Sequence, residues 1–257
     1  MKLHLALLQS DLHWQNPTAN LAMFEEKIWQ IKQQPDIIIL PEMFTTGFTM
    51  EAKNLAEPMN LTTFKWLKQQ AAQTQAALVG SYIVVENGAY FNRLIWMQPD
   101  GQYYTYDKRH LFRMADEHRT YTAGSQNILI EWKGWRIRPL ICYDLRFPVW
   151  SRNVGNAYDL LIYIANWPVP RVNAWDTLLQ ARAIENLAYV AGVNRVGTDG
   201  KGLNYCGNSA VYDFKGNTLY YRPEAEETAL VTIDKAALDD FRQKFPVYLD
   251  ADSFHLL

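Results

Sequence analysis

Two cysteines in 257 residues are too few for a disulfide framework. The chain is therefore expected in a reducing compartment, the cytoplasm, with a fold that rests on packing alone. No apolar stretch approaches the roughly 18 residues that a membrane-spanning helix needs. The apolar start MKLHLALLQS is short, broken by His4 and followed by no small-x-small cleavage site, so it reads as a first buried strand. Neither sign of charge dominates: 25 Lys and Arg stand against 27 Asp and Glu, scattered along the chain, for a net charge of −2. A surface for nucleic acid or an anionic membrane requires a basic patch, and none is legible here. Low-complexity segments, long linkers and fixed-period repeats are missing as well. The partners left are a small molecule and a second copy of the chain.

Against these absences stand 49% hydrophobic residues and an alternation of helix-like and strand-like segments. A strand is expected over residues 3–9. A helix over residues 17–33 follows, with Leu21, Phe24, Ile28 and Ile31 on one face, Asn16 as cap and Pro17 at its first position. The run DIIILPE is continuously apolar, as strands buried on both faces of a sheet are. A second helix, about residues 60–75, precedes the strand ALVGSYIVV. Hairpins are expected to turn at Asp100-Gly101, at Lys133-Gly134 and near Lys215-Gly216-Asn217. Before the last of these, YDLLIYIAN, a helix over residues 173–186 and LAYVAGVN restore the alternation. The layout is α/β, mixed sheets covered by helices, in one domain over residues 1–257.

Three of the apolar runs end in polar residues: Glu42 after IIILP, Cys142 after RPLI and Asn166 after LIYIA. In open α/β sheets, ligands bind beyond the carboxyl ends of strands. Cys142 admits two readings. It is a small buried hydrophobe closing a strand, or a nucleophile on the strand-to-helix turn CYDLRFP, where a helix N-terminus favours the thiolate. Cys206, in NYCGNS, has no activating context. Glu42, directly after a buried strand and a proline, is either a structural ion-pair member or a proton carrier with a raised pKa. Lys108 in YDKRHLF is by itself a surface lysine. Beside a cysteine, its charge would lower the thiol pKa and hold an oxyanion. Histidine, the usual base for cysteine, is poorly placed. His4 lies in a strand, His13 and His255 lie near the termini, and His110 and His118 share a polar loop. His110, His118 and Asp116 lack the ligand spacing of a zinc site, and no metal is expected.

In the order Glu42, Lys108, Cys142, the stretches ILPEMFTTGF, YDKRHLF and LICYDLRFPVW resemble the Glu–Lys–Cys motifs of the nitrilase (carbon–nitrogen hydrolase) superfamily. The likeness continues through YIANWPVPRVNAWDTLLQARAIENLAYVAGVNRVG to FPVYLDADSF, and so covers nearly the whole chain. NWPVPRVNAW and ARAIEN resemble the bacterial omega-amidases in particular. The resemblance implies a four-layer α-β-β-α sandwich of the nitrilase type. It also implies a homodimer in which the C-terminal tail, about residues 243–257, reaches toward the partner.

It implies, further, hydrolysis of the terminal amide of 2-oxo acids such as 2-oxoglutaramate or 2-oxosuccinamate, through a thioester on Cys142 and without a cofactor. Glu42 would move the protons, while Lys108 and the backbone N–H of Tyr143 would hold the oxyanion. Glu117 in MADEHRTYTAG matches the family's second glutamate, orienting Lys108 or the substrate amide; its other reading is a solvated loop carboxylate. A substrate carboxylate calls for a forked arginine. Arg171 is expected in that role, with Arg113 its rival, and Arg146 is expected to brace the turn behind Cys142. Trp167 and Phe48 would wall the pocket. Three other readings compete. They are a nitrilase or N-carbamoyl hydrolase on the same fold, a thiol hydrolase of the papain type using His118, and a binding protein without catalysis.

Overall fold

A computed structural model describes residues 1–252 and 254 of the chain. His255 and the last part of the expected tail lie outside the described residues. The first sheet begins with β1 (Lys2–Gln9), β2 (Ile37–Ile39), β3 (Ala77–Glu86), β4 (Ala89–Met97) and β5 (Tyr103–Asp107). The second holds β6 (Ile130–Trp132), β7 (Trp135–Ile141), β8 (Leu160–Ile164), β9 (Tyr189–Val193), β10 (Val196–Thr198), β11 (Asn204–Tyr212) and β12 (Thr218–Pro223). The chain then returns through β13 (Glu227–Asp234), which pairs antiparallel with β1 at the edge of the first sheet. The centres are parallel, β1-β2-β3 in one sheet and β7-β8-β9 in the other, and hairpins extend both.

The continuous apolar runs explain the layering, because a strand covered on both faces has no use for alternation. Leu3, Leu5, Leu7, Ile37 and Ile39 join Ile137, Ile141, Ile162 and Ala191 in the core that the two sheets share. The intervening Ala6, Leu8, Ile38 and Leu40 face the opposite way, onto Phe24, Ile28, Phe64 and Leu67 of the helices Pro17–Trp29 and Thr62–Thr74. Trp175, Leu179 and Ala183 of the helix Val172–Asn186 cover the outer side of the second sheet. The result is the expected helix–sheet–sheet–helix sandwich.

Local signals set most boundaries. Asn16 accepts a hydrogen bond from the Ala19 N–H at 3.1 Å, capping the first helix ahead of Pro17. That helix ends at Trp29, short of the expected residue 33. The β6–β7 hairpin turns at Lys133 and Gly134, both with positive φ (46° and 74°), the geometry that a tight hairpin turn requires.

One buried carboxylate ties the C-terminal helix to the second sheet. Asp159, fully buried, accepts hydrogen bonds from Arg136 Nη2 at 2.9 Å, Lys235 Nζ at 2.6 Å and Arg242 Nη1 at 2.8 Å. Burial alone would push its carboxyl up. The hydrogen bonds from Arg136 and Lys235 outweigh this and hold it down, from 3.8 to about 2. A depressed carboxylate contributes stability above its unfolded pKa and loses it as pH falls through the folded one. Asp159→Asn leaves Arg242 buried without its anion and is expected to lose about 3–5 kcal/mol at neutral pH. In urea titrations, the gap between wild type and variant is expected to narrow as pH falls from about 4 to about 2. A gap that is constant over this range would count against the assignment.

Candidate active site

Strand ends from both sheets supply the reactive side chains. Glu42 lies in the loop after β2, and that loop is stitched to β3. Leu40 N–H donates to the Val79 carbonyl, Met43 N–H to Ser81 Oγ and Phe44 N–H to the Ser81 carbonyl, at 2.8, 2.8 and 3.0 Å. A Cβ on Gly80 would stand 2.9 Å from the Phe44 ring, so glycine is what lets the loop lie flat on the strand. Lys108 follows β5, and its N–H donates to the Asn92 carbonyl at 3.0 Å. Cys142 follows β7 with φ +43°, in the left-handed region that non-glycine residues occupy only when their surroundings impose it. Asp144 supplies part of that constraint. Its buried carboxylate accepts from Ile141 N–H at 3.1 Å, His110 N–H at 3.0 Å and the Tyr106 hydroxyl at 2.7 Å.

At the centre Lys108, 1% exposed, donates to Glu42 Oε1 at 2.8 Å and to both oxygens of Glu117 at 3.0 Å. Glu42 Oε1 also accepts from Asn92 Nδ2 at 2.8 Å, and Glu42 Oε2 accepts from Asn166 N–H at 2.9 Å. Glu117 takes a further hydrogen bond from Phe112 N–H at 2.5 Å. Burial by itself would push the Lys108 ammonium down, but the Glu117 and Glu42 carboxylates hold it far above its ordinary value. Burial pushes Glu117 up, as does the charge of Glu42, and Lys108 pulls against both. The solvated-loop reading of Glu117 is thereby corrected: the side chain is buried against Lys108.

The Cys142 thiol is pushed well up, first by burial and then by the Glu42 carboxylate, and Lys108 offsets only part of this. The resting group is a thiol. Lys108 pulls the thiol down, as expected of a cation beside it, but burial and Glu42 outweigh that pull, and the expected help of a helix N-terminus is missing. The segment after Cys142 is a five-residue 3-10 turn, too short to bring a helix field, and Glu42 counters the lysine.

Cys142 and Lys108 open into a cavity of about 70 Å³, which Phe48, Tyr143, Trp167 and Arg171 line. The other lining residues include Phe112, Arg146, Asn166 and Tyr205. The Arg171 guanidinium stacks over Phe112 at 5.0 Å and that of Arg146 over Trp167 at 5.1 Å. Among the described residues neither arginine has a carboxylate partner. Arg113 faces a neighbouring cleft together with His118, so neither lines the Cys142 cavity. Arg146 does not brace the nucleophile turn as expected; Arg182 does, donating to the Leu145 carbonyl at 2.6 Å. Sequence reasoning missed Asn92, whose signal was an asparagine inside the otherwise apolar half of a strand. It marked Asn166 as a strand-end residue and gave it no role.

Comparison with known proteins agrees with this picture. Residues 4–243 match the family model for carbon–nitrogen hydrolases. The chain is 48% identical to the omega-amidase YafV of Escherichia coli (strain K12), over 99% of this chain and 98% of that protein. It is 33% identical to the 2-oxoglutaramate amidase of Bacillus subtilis (strain 168), over 97% and 98%. Its fold superposes with a TM-score of 0.98 on XC1258 from Xanthomonas campestris, a CN-hydrolase superfamily protein whose crystal structure carries an arsenic adduct in the active site. That pair is 46% identical, with both chains fully covered.

The charge arrangement predicts the direction in which the thiol titrates. In Glu42→Gln the carboxylate that raises Cys142 is gone and Lys108 remains. The pH profile of iodoacetamide alkylation at Cys142 is expected to move down by about one unit or more. An unchanged or upward-shifted profile would show that Glu42 does not govern the thiol.

Proposed function

The chain belongs to the carbon–nitrogen hydrolase family, and on that premise we propose that it is an omega-amidase. It hydrolyses the terminal amide of a small 2-oxo acid such as 2-oxoglutaramate to the dicarboxylate and ammonia. The observation that carries this reading is a buried Glu42–Lys108–Glu117 group beside Cys142, in a small cavity that two arginines without carboxylate partners also line. A narrow cavity suits a short linear acid, and a guanidinium is the natural fork for its free carboxylate. Hydrolysis of a nitrile that bears no carboxylate gives those arginines no comparable task.

The chemistry follows from which groups are free to move a proton. Lys108 is pinned as an ammonium and acts as a fixed positive charge. Glu42 Oε1 already accepts from Lys108 and Asn92, whereas Oε2 accepts one hydrogen bond and keeps room for another. Oε2 therefore takes the thiol proton as Cys142 Sγ adds to the amide carbon. The total charge of the buried group is unchanged by this transfer, so none is desolvated anew. Lys108 and the Tyr143 backbone N–H stabilise the oxyanion that forms. Glu42 then delivers the proton to the departing nitrogen, ammonia leaves, and a thioester remains on Cys142. Water, deprotonated by Glu42, attacks the thioester and releases the acid and the thiol.

Arg171 and Arg146 together hold the distal carboxylate, flanked by Phe112 and Trp167. The same reading takes residues 1–257 as one catalytic domain that pairs with a second copy. The exposed apolar side chains of Phe245 and Leu249 support a tail contact with that copy.

Ammonia release from 2-oxoglutaramate is the test. Cys142→Ala and Glu42→Gln are each expected to lose about a thousandfold or more in turnover. Arg171→Ala and Arg146→Ala are each expected to raise KM about 10- to 100-fold for 2-oxoglutaramate and to spare an amide that lacks the carboxylate. Wild-type protein that leaves 2-oxoglutaramate intact while cleaving nitriles or carbamoyl compounds would overturn the assignment.

A further inference from the structure

A second space lies against the nucleophile turn. It is a cleft of about 510 Å³, to which Arg109, His110, Arg113 and His118 contribute and, among the described residues, no carboxylate does. Asp144 stands behind His110 and is engaged by its Nδ1 at 2.7 Å.

A row of rings divides this cleft from the catalytic cavity. The Tyr143 ring packs edge-to-face between Phe112, which lines the cavity, and Phe147, which lines the cleft, with centroids 5.0 and 5.1 Å away. Phe147 in turn stacks on His110 at 3.7 Å, and the Arg171 guanidinium lies over Phe112 at 5.0 Å. The row therefore runs from an arginine of the cavity to a histidine of the cleft. Among the described residues, Tyr143 is the one that lines both spaces.

The two sides differ in room and agree in charge. The cavity holds about 70 Å³ and the cleft about 510 Å³. Arg146 and Arg171 offer guanidinium forks on one side, Arg109 and Arg113 on the other. A short amide acid with its amide at Cys142 finds a partner for its carboxylate inside the cavity. A longer one has to carry that carboxylate past the Tyr143 ring. Close-packed rings do not yield to an extra methylene without cost.

We propose that the Tyr143 side chain sets the upper limit on acyl length, by closing the catalytic cavity against the basic cleft. This rests on the amidase reading and deepens it: the substrates are short amide acids, and the cleft is the space that longer ones need. The ring acts as a wall. The Tyr143 backbone N–H at the oxyanion is a separate task, which any residue but proline performs at this position.

The test measures kcat/KM for 2-oxoglutaramate and for homologues with one to three further methylenes between the amide and the oxo group. Wild type and Tyr143→Phe are expected to prefer 2-oxoglutaramate by about tenfold or more. Tyr143→Ala is expected to raise the ratio of the best longer homologue to 2-oxoglutaramate about tenfold or more. A ratio is read because a general loss of activity lowers all substrates alike. Arg113→Ala alone is expected to leave turnover of 2-oxoglutaramate at the wild-type value, and in the Tyr143→Ala background to remove most of the gain. Tyr143→Leu replaces Tyr143→Ala if the latter does not fold. An unchanged ratio in that variant, an equal gain in Tyr143→Phe, or a gain that survives Arg113→Ala overturns the proposal. Wild type that cleaves the longer homologues as well as 2-oxoglutaramate also overturns it. Wild type that releases no ammonia from any of them instead defeats the substrate assignment, and the length series is then run on the amides that the enzyme does cleave.

Discussion

An ammonium held between two carboxylates, out of reach of water, is the interaction on which the rest depends. Lys108 alone at that depth would shed its proton, and the two carboxylates hold it as an ammonium. The cost of removing one member is high because it strands the others. On the proposed amidase reading, the arrangement fixes a positive charge where the oxyanion forms, and Glu42 is the group that carries the proton. Cys142 stays protonated until a substrate is in place. A resting thiol at a buried site is protected from adventitious oxidation and alkylation, which act on thiolates.

The sandwich exists to bring these groups together. Glu42 and Lys108 close strands of one sheet and Cys142 and Asn166 close strands of the other, so facing the sheets against each other is what makes the site. Each side chain is mounted by backbone hydrogen bonds: the Glu42 loop on Ser81, Lys108 on Asn92, the Cys142 turn on Asp144 and Arg182. A left-handed cysteine is tolerable only with that much support. Chemistry at strand ends and stability in the shared core are thus kept in different residues.

Much of this was legible in the chain. The apolar runs through Ile37–Ile39 and Leu160–Ile164 read as doubly buried strands because nothing in them favours water, and the glycine-containing turns announced their hairpins. Glu42, Lys108 and Cys142 stood out through their places after such strands and through the motifs around them. The state of the thiol did not. It depends on burial and on a glutamate from the other sheet, and a strand-to-turn pattern says nothing of either. Side-chain direction was equally hidden: Arg113, Arg146 and Arg171 are alike as letters, yet one faces another cleft and two face the cavity. Asn92 escaped notice because an asparagine in a strand is unremarkable until its partner is known to be Glu42.

Covalent catalysis at Cys142 is the central claim, and rapid-quench mass spectrometry of the enzyme turning over 2-oxoglutaramate tests it most directly. The expected result is an acyl group, the substrate less ammonia, on the peptide that contains Cys142. It should form together with a burst of ammonia, ahead of steady release of the acid, and be missing from Cys142→Ala. Steady turnover with no adduct on Cys142, or undiminished turnover in Cys142→Ala, would contradict it.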